Sequence, residues 1–200
     1  MFIQTEDTPN PQSMKFLPGE AVLGLDKYGM PALGIDFPNE DTTAASPLAQ
    51  ALFAVEGVAG VYLGADFVTV TKDPATEWTA VKPALLGVIA DHLVAKLPVM
   101  IEGAEAPAVK PATTLDEYEG DDRETVEQIL DLLETRVRPA VAADGGDIIF
   151  KHYEPRTGVV FLALLGACSG CPSSTMTLKS GVENLLKHYV PEVVKVEAVA

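Results

Sequence analysis

Gly166-Ala-Cys-Ser-Gly-Cys-Pro-Ser-Ser174 holds both cysteines of the 200-residue chain, Cys168 and Cys171, as a C-x-x-C pair. An apolar run, Val159-Val-Phe-Leu-Ala-Leu-Leu165, leads into it and reads as a buried strand. Met176, Leu178, Val182, Leu185 and Leu186 follow at three- and four-residue spacings, which predict a helix. The pair therefore sits on a strand-to-helix turn, with Pro172 where the first helical turn tolerates a missing N–H. Backbone N–H groups and the positive end of a helix predict that thiolate is favoured over thiol there. A cysteine pair at a helix start, flanked by Gly166 and Gly170, points to reactive or ligating sulfur rather than to small core side chains. Metal binding and thiol redox both remain open.

Upstream, Val126, Ile129, Leu130, Leu133 and Val137 mark one face of a helix, with Asp121 and Asp122 as caps. Arg138-Pro139 is expected to end or kink it. Asp144-Gly-Gly-Asp147 reads as a sharp turn with one glycine at positive φ, its carboxylates serving turn and cap hydrogen bonds. Residues 148–153 form a strand that Pro155-Arg-Thr-Gly158 turns back into the apolar strand. Pro191 stops the last helix, and residues 193–199 alternate as a closing strand. Residues 123–200 are thus an α-β-β-α-β domain with a mixed three-stranded sheet. His152 and His188 lie far along the chain from the cysteines.

Residues 99–122 change character, with Ala, Pro, Thr and acidic residues dominant, and read as a flexible acidic linker. Residues 1–98 read as a second small α+β domain. Residues 2–5 and 14–17 form strands about the Thr8-Pro-Asn-Pro11 turn. Ser46-Pro47 starts a helix that Gly57 ends. Residues 58–63 and 67–71 form a hairpin, and residues 78–97 a second helix stopped by Pro98. His92 is expected on the surface of that helix. The domain shows no catalytic constellation, and its expected role is partner recognition.

The net charge of −15 argues against nucleic acid or an anionic membrane as partner. It divides as −8 over residues 1–102, −5 over 103–122 and −2 over 123–200, so the excess lies away from the cysteines. No apolar run is long enough to span a bilayer. Two cysteines make no disulfide framework, and the first residues resemble neither a signal peptide nor a transit sequence. A reducing cytosol is the simplest expectation.

Three stretches carry a family resemblance: Arg138-Pro-Ala-Val-Ala-Ala-Asp-Gly-Gly-Asp147, Gly166 to Glu183 around the cysteines, and Pro191-Glu-Val193. They resemble the C-terminal domain of NifU-like iron–sulfur cluster scaffolds and carriers. Met1-Phe-Ile-Gln-Thr-Glu-Asp-Thr-Pro-Asn-Pro11 with Met14-Lys-Phe16 resembles the companion N-terminal domain of the Nfu type, found in bacteria and mitochondria. The resemblance implies that Cys168 and Cys171 ligate iron in a [4Fe–4S] cluster, or in a [2Fe–2S] one. It implies binding and transfer rather than catalysis, with upstream assembly machinery as donor and apo iron–sulfur proteins as recipients. It also implies a cytoplasmic protein of bacterial type, or one of the mitochondrial matrix if the chain is processed. Common all-cysteine clusters take four thiolates and one chain has two, so a homodimer sharing one cluster satisfies the count.

Two rivals meet the same residues. A thiol oxidoreductase would use one cysteine as nucleophile and the other as resolving partner. Against it, no aromatic residue precedes the motif, and the α-β-β-α-β order is not a thioredoxin-like start. A zinc-bridged dimer with four cysteine ligands satisfies the same count.

Overall fold

The computed structural model describes residues 1–26, 29–104, 114–169 and 172–199, the first four of the last stretch by backbone alone. Cys171, Gly170 and the middle of the expected linker, 105–113, lie outside the described residues. The chain divides into two compact units, Met1–Ala108 and Val109–Ala200.

The first unit carries strands β1 (Gln4–Asp7), β2 (Ser13–Leu17), β3 (Ile35–Phe37), β4 (Val58–Leu63) and β5 (Val68–Lys72). They pair antiparallel throughout in the order β1-β2-β5-β4-β3. Helices α1 (Pro47–Phe53) and α2 (Trp78–Val94) contribute Leu48, Leu52, Leu85 and Ile89 to a core shared with Phe16, Val61, Leu63, Val68 and Val70. Those strand residues alternate along their strands, as a sheet with one covered face requires. Ser46 caps α1 as its sequence predicts: its Oγ accepts from the Ala49 N–H at 3.1 Å and donates to the Val99 carbonyl at 2.7 Å. Ile101 N–H then donates to the Ala45 carbonyl at 2.9 Å, so the start of the expected linker is taken into this unit.

His92 is a correction to the sequence expectation. It is buried, with Nε2 3.1 Å from the Pro98 carbonyl. The helix end explains this. Lys96 takes φ +53°, its N–H reaches the Leu93 carbonyl and the Leu97 N–H reaches the His92 carbonyl. That left-handed turn swings the chain back over the last helical turn and brings Pro98 onto the imidazole.

The second unit runs α3 (Gly120–Leu132), α4 (Arg138–Ala143), β6 (Gly146–Glu154), β7 (Val159–Gly166), α5 (Pro172–Tyr189) and β8 (Lys195–Val199). β6 pairs antiparallel with β7 and β7 parallel with β8, which is the mixed sheet the sequence predicts. α3 does not stop before Pro139. A π-turn over Leu133–Val137 joins it to α4, and the Arg138 N–H bonds the Leu133 carbonyl five residues back. Proline has no N–H and would clash with the carbonyl four residues earlier, and the wider turn absorbs both defects. Val126, Ile129, Val137, Val141, Val182 and Leu186 from these helices pack on Ile148, Phe150, Val160 and Leu162 of the sheet.

Tyr118, within the stretch expected as linker, belongs to this core and is 6% exposed. Its hydroxyl accepts from the Tyr153 N–H at 2.8 Å and donates to the Tyr153 carbonyl at 3.0 Å, with His152 Nδ1 also at 3.0 Å. One side chain therefore seals the outer side of edge strand β6, beside the register shift between Phe150 and His152. Tyr118→Phe leaves both main-chain groups without that partner, a loss of about 1–3 kcal/mol. Hydrogen exchange at the Tyr153 amide is expected to quicken by roughly ten- to a hundredfold. An unchanged rate would show that the hydroxyl is not what protects it.

Candidate metal centre

The turn that bears Cys168 is built where the first residue of β6 faces the last residue of β7. Gly146 and Gly166 are register partners, and neither has a side chain. Gly166 takes φ +60° and Gly145 φ +82°, a region that residues with a Cβ rarely enter. The two turns are stitched together by the Ala167 N–H, which donates to the Gly145 carbonyl at 3.2 Å. Within the cysteine turn, Cys168 N–H donates to Leu165 O at 3.3 Å and Ser169 N–H to Gly166 O at 3.0 Å. Ser169 Oγ adds a bond to the same Gly166 carbonyl at 2.8 Å.

Cys168 is 7% exposed and joins the core of this unit. A Cβ on Gly146 would stand 2.6 Å from its Sγ and 2.6 Å from the Leu165 carbonyl. The sulfur thus occupies space that exists because residue 146 is glycine. Burial pushes the Cys168 thiol up to about 12, and the carboxylates of Asp144 and Asp147 push the same way. This overturns the expectation of a favoured thiolate for Cys168. Its sulfur lies inside the turn ahead of α5, where desolvation outweighs any field from the helix end.

Asp147 does more than cap a turn. Its buried carboxylate takes both prongs of Arg138, Nε to Oδ1 and Nη2 to Oδ2, each at 2.8 Å. Oδ1 also accepts from the Ile148 N–H at 2.8 Å. Arg138 Nη1 then reaches Glu134 Oε2 at 2.7 Å. The Asp147 hydrogen bonds hold the guanidinium above its ordinary value, against burial. The pair clamps α4 to the start of β6, the strand on which the cysteine turn rests.

Of the residues singled out in the sequence, the structure puts Cys168 beside the Asp-Gly-Gly-Asp turn, whereas Cys171 lies outside the described residues. His152 is engaged by Tyr118 and stacks on Phe161, and His188 sits edge-on to Tyr189 at 4.8 Å. Among the described residues no group of three or more His, Cys, Asp or Glu side chains is arranged to hold a metal ion. The sequence reading missed Gly146 as the floor under the sulfur and Arg138 as the partner of Asp147. The doubled glycine between two aspartates was the available signal for the first. A buried carboxylate's need for a counter-ion was the signal for the second.

The raised thiol has a consequence for stability. A group whose folded value exceeds its unfolded one gives stability that is complete below the unfolded value and lost as pH climbs to the folded one. For Cys168 that window runs from 9.0 to about 12. Wild type is expected to weaken faster than Cys168→Ala across it, by at most about 1.4 kcal/mol per pH unit. Urea unfolding of both proteins at pH 8 and pH 10 reads this difference, because every other titrating group is common to the two. Parallel curves would refute it.

Comparison with known proteins follows the same two units. A family model described as the N-terminal domain of Nfu/NifU scaffold proteins matches residues 3–96, and one described as the NifU-like domain matches residues 129–197. The chain is 50% identical over 199 residues to the "NFU1 iron-sulfur cluster scaffold homolog, mitochondrial" of Drosophila sechellia, and 51% identical to that of Drosophila erecta. Each alignment takes in 100% of this chain and 65% of the relative, so the chain spans just under two thirds of their length. A solution structure of a NifU-like protein from Saccharomyces cerevisiae aligns at 29% identity and a TM-score of 0.42, over 51% of this chain and 86% of that one.

Proposed function

The chain belongs to the Nfu/NifU family of scaffold proteins, and from that premise we propose that two copies hold one iron–sulfur cluster through Cys168 and Cys171 and pass it to apoproteins. The cluster is cargo, of the [4Fe–4S] type or alternatively [2Fe–2S]. The observation that carries the reading is the C-x-x-C pair of the sequence, with Cys168 set beside the Asp-Gly-Gly-Asp turn. Thiolate suits iron–sulfur chemistry, each chain has two cysteines, and the one buried carboxylate among the described residues, Asp147, is committed to Arg138. Four thiolates then require two chains.

Binding demands that each thiol give up its proton, so loading releases protons and grows easier as pH rises. Release reverses this: recipient thiolates replace Cys168 and Cys171 at iron, and the vacated sulfurs take protons back. A buried, reluctant thiol makes the donor the weaker holder in that exchange. The same property weighs against Cys168 as the nucleophile of a thiol oxidoreductase, which needs a lowered value. The role is therefore binding and transfer, without turnover.

The acidic N-terminal unit, Met1–Ala108, is assigned to partner recognition, and the second, Val109–Ala200, to holding the cluster. The word mitochondrial in the names of the chain's relatives supports the mitochondrion over the cytoplasm as compartment. No helix among the described residues is long and apolar enough to cross a membrane.

Anaerobic reconstitution with iron and sulfide, followed by Mössbauer and visible absorption and by sedimentation, tests the reading. A monomeric apo-protein is expected to become a dimer with one cluster per two chains, and a chelator to reverse both changes together. A full cluster on a sedimenting monomer would overturn the shared site. Preferential, irreversible uptake of zinc would favour the structural dimer instead.

A further inference from the structure

We propose that the cluster-free protein stores Cys168 inward against Gly146, and that this sulfur must swing out of its turn before two copies can share a cluster. The proposal rests on the scaffold reading above and adds a step to it. Gly146 is the positioning residue that makes the inward state available.

The argument starts from a conflict of geometry. A ligand shared between two chains must present its sulfur beyond its own surface, because a thiolate–metal bond is only about 2.3 Å long for a tetrahedral metal such as zinc. Cys168 is 7% exposed and packs in the same core as Ile148 and Val182. An ion within bonding distance of that sulfur would lie among its own chain's side chains, out of reach of a second copy.

The slot that accepts the sulfur is specific. Gly146 and Gly166 oppose each other at the open end of the β6–β7 pair, and one Cβ at 146 would come within 2.6 Å of Sγ. The floor is rigid, since the Arg138–Asp147 pair ties the start of β6 to α4. Among the described residues, bonds from Cys168 N–H, Ser169 N–H and Ser169 Oγ help to hold the turn above it, with one from Ala167 N–H to Gly145. Gly166, at φ +60°, stands where the strand gives way to that turn. The turn lies past Gly146 and Gly166, the last register partners of β6 and β7, so opening it moves the sulfur while the strands stay paired. Inward storage keeps the thiol from oxidants and stray metals until a cluster is offered.

Pulsed alkylation with iodoacetamide, read by mass spectrometry on the full-length reduced apo-protein, tests it. Cys168 is expected to label about a hundredfold more slowly than the same residue in urea, as for a group exposed only by local opening. Gly146→Ala puts a methyl in the sulfur's place and is expected to raise Cys168 labelling by about tenfold or more, and to speed cluster uptake. Ser169→Ala removes one turn bond with no new atom, and is expected to act in the same direction by a smaller factor. It decides the matter if Gly146→Ala does not fold. Native labelling of Cys168 at the unfolded rate would overturn the inward state. Faster labelling in Ser169→Ala with an unchanged uptake rate would overturn the swing. A reduced wild type that keeps Cys168 protected yet never takes up a cluster would instead refute the scaffold reading, and the swing with it.

Discussion

Replacing Cys168 or Cys171 by alanine is expected to abolish cluster and dimer together. Each substitution removes one thiolate per chain, so a symmetric pair keeps two of the roughly four that an all-cysteine cluster takes. The remaining ligands do not hold such a cluster, and His152 is already engaged by Tyr118. Iron content is expected to fall to background, and sedimentation to return the monomer even after reconstitution. Cys168→Ser separates ligand from filler, because oxygen occupies the slot beside Gly146 and yet is a poor ligand for this iron chemistry. Lys179→Ala is the control. It gives up an ion pair with Glu197 at 2.7 Å that solvent screens, and both cluster and dimer should persist. A dimer that survives in Cys168→Ala without iron would show that the chains associate by some other surface.

Arg138→Leu is expected to produce the largest loss of stability, confined to the unit Val109–Ala200. It leaves the Asp147 carboxylate, 5% exposed, without its bidentate partner. Removing one member of a buried pair typically costs about 3–5 kcal/mol, since the other charge stays uncompensated. Asp147→Asn is expected to cost less. Arg138 is more open to solvent than Asp147 and keeps its second carboxylate, Glu134. The double change Arg138→Leu with Asp147→Leu should recover part of the loss, which a mere packing role for the arginine stem would not predict. Denaturant unfolding followed by hydrogen exchange resolves the two units. Exchange in β6 and β7 should rise in Arg138→Leu while β4 and β5 remain as in wild type. A loss below about 1 kcal/mol would mean that water or relaxation satisfies Asp147, and the clamp beneath the cysteine turn would have to be discarded.

The sequence by itself determined the order of elements, because that information is local and repeats along the chain. The 159–165 run, the three- and four-residue spacing after the cysteines and the punctuation at Pro155 to Gly158 and Pro191 specify α-β-β-α-β, and β6, β7 and β8 form the mixed sheet. Ser46 announced its helix cap, and the doubled glycine its left-handed turn, each through a residue's own backbone preference. Cys168 and Cys171 were singled out by chemistry and spacing alone. What only the tertiary structure decided was the environment of those residues. Cys168 reads in sequence as a thiolate at a helix start, but convergence of β6 and β7 puts it over Gly146 and inside the core. Arg138 reads as the end of a helix, yet a π-turn carries the helix on and aims the guanidinium at an aspartate nine residues later. Tyr118 reads as linker, and it closes the edge of a strand thirty-five residues away in sequence. Periodicity records which face of one element is apolar. Desolvation and ion pairing depend on which segments meet, and that is fixed only when the sheet and its helices pack.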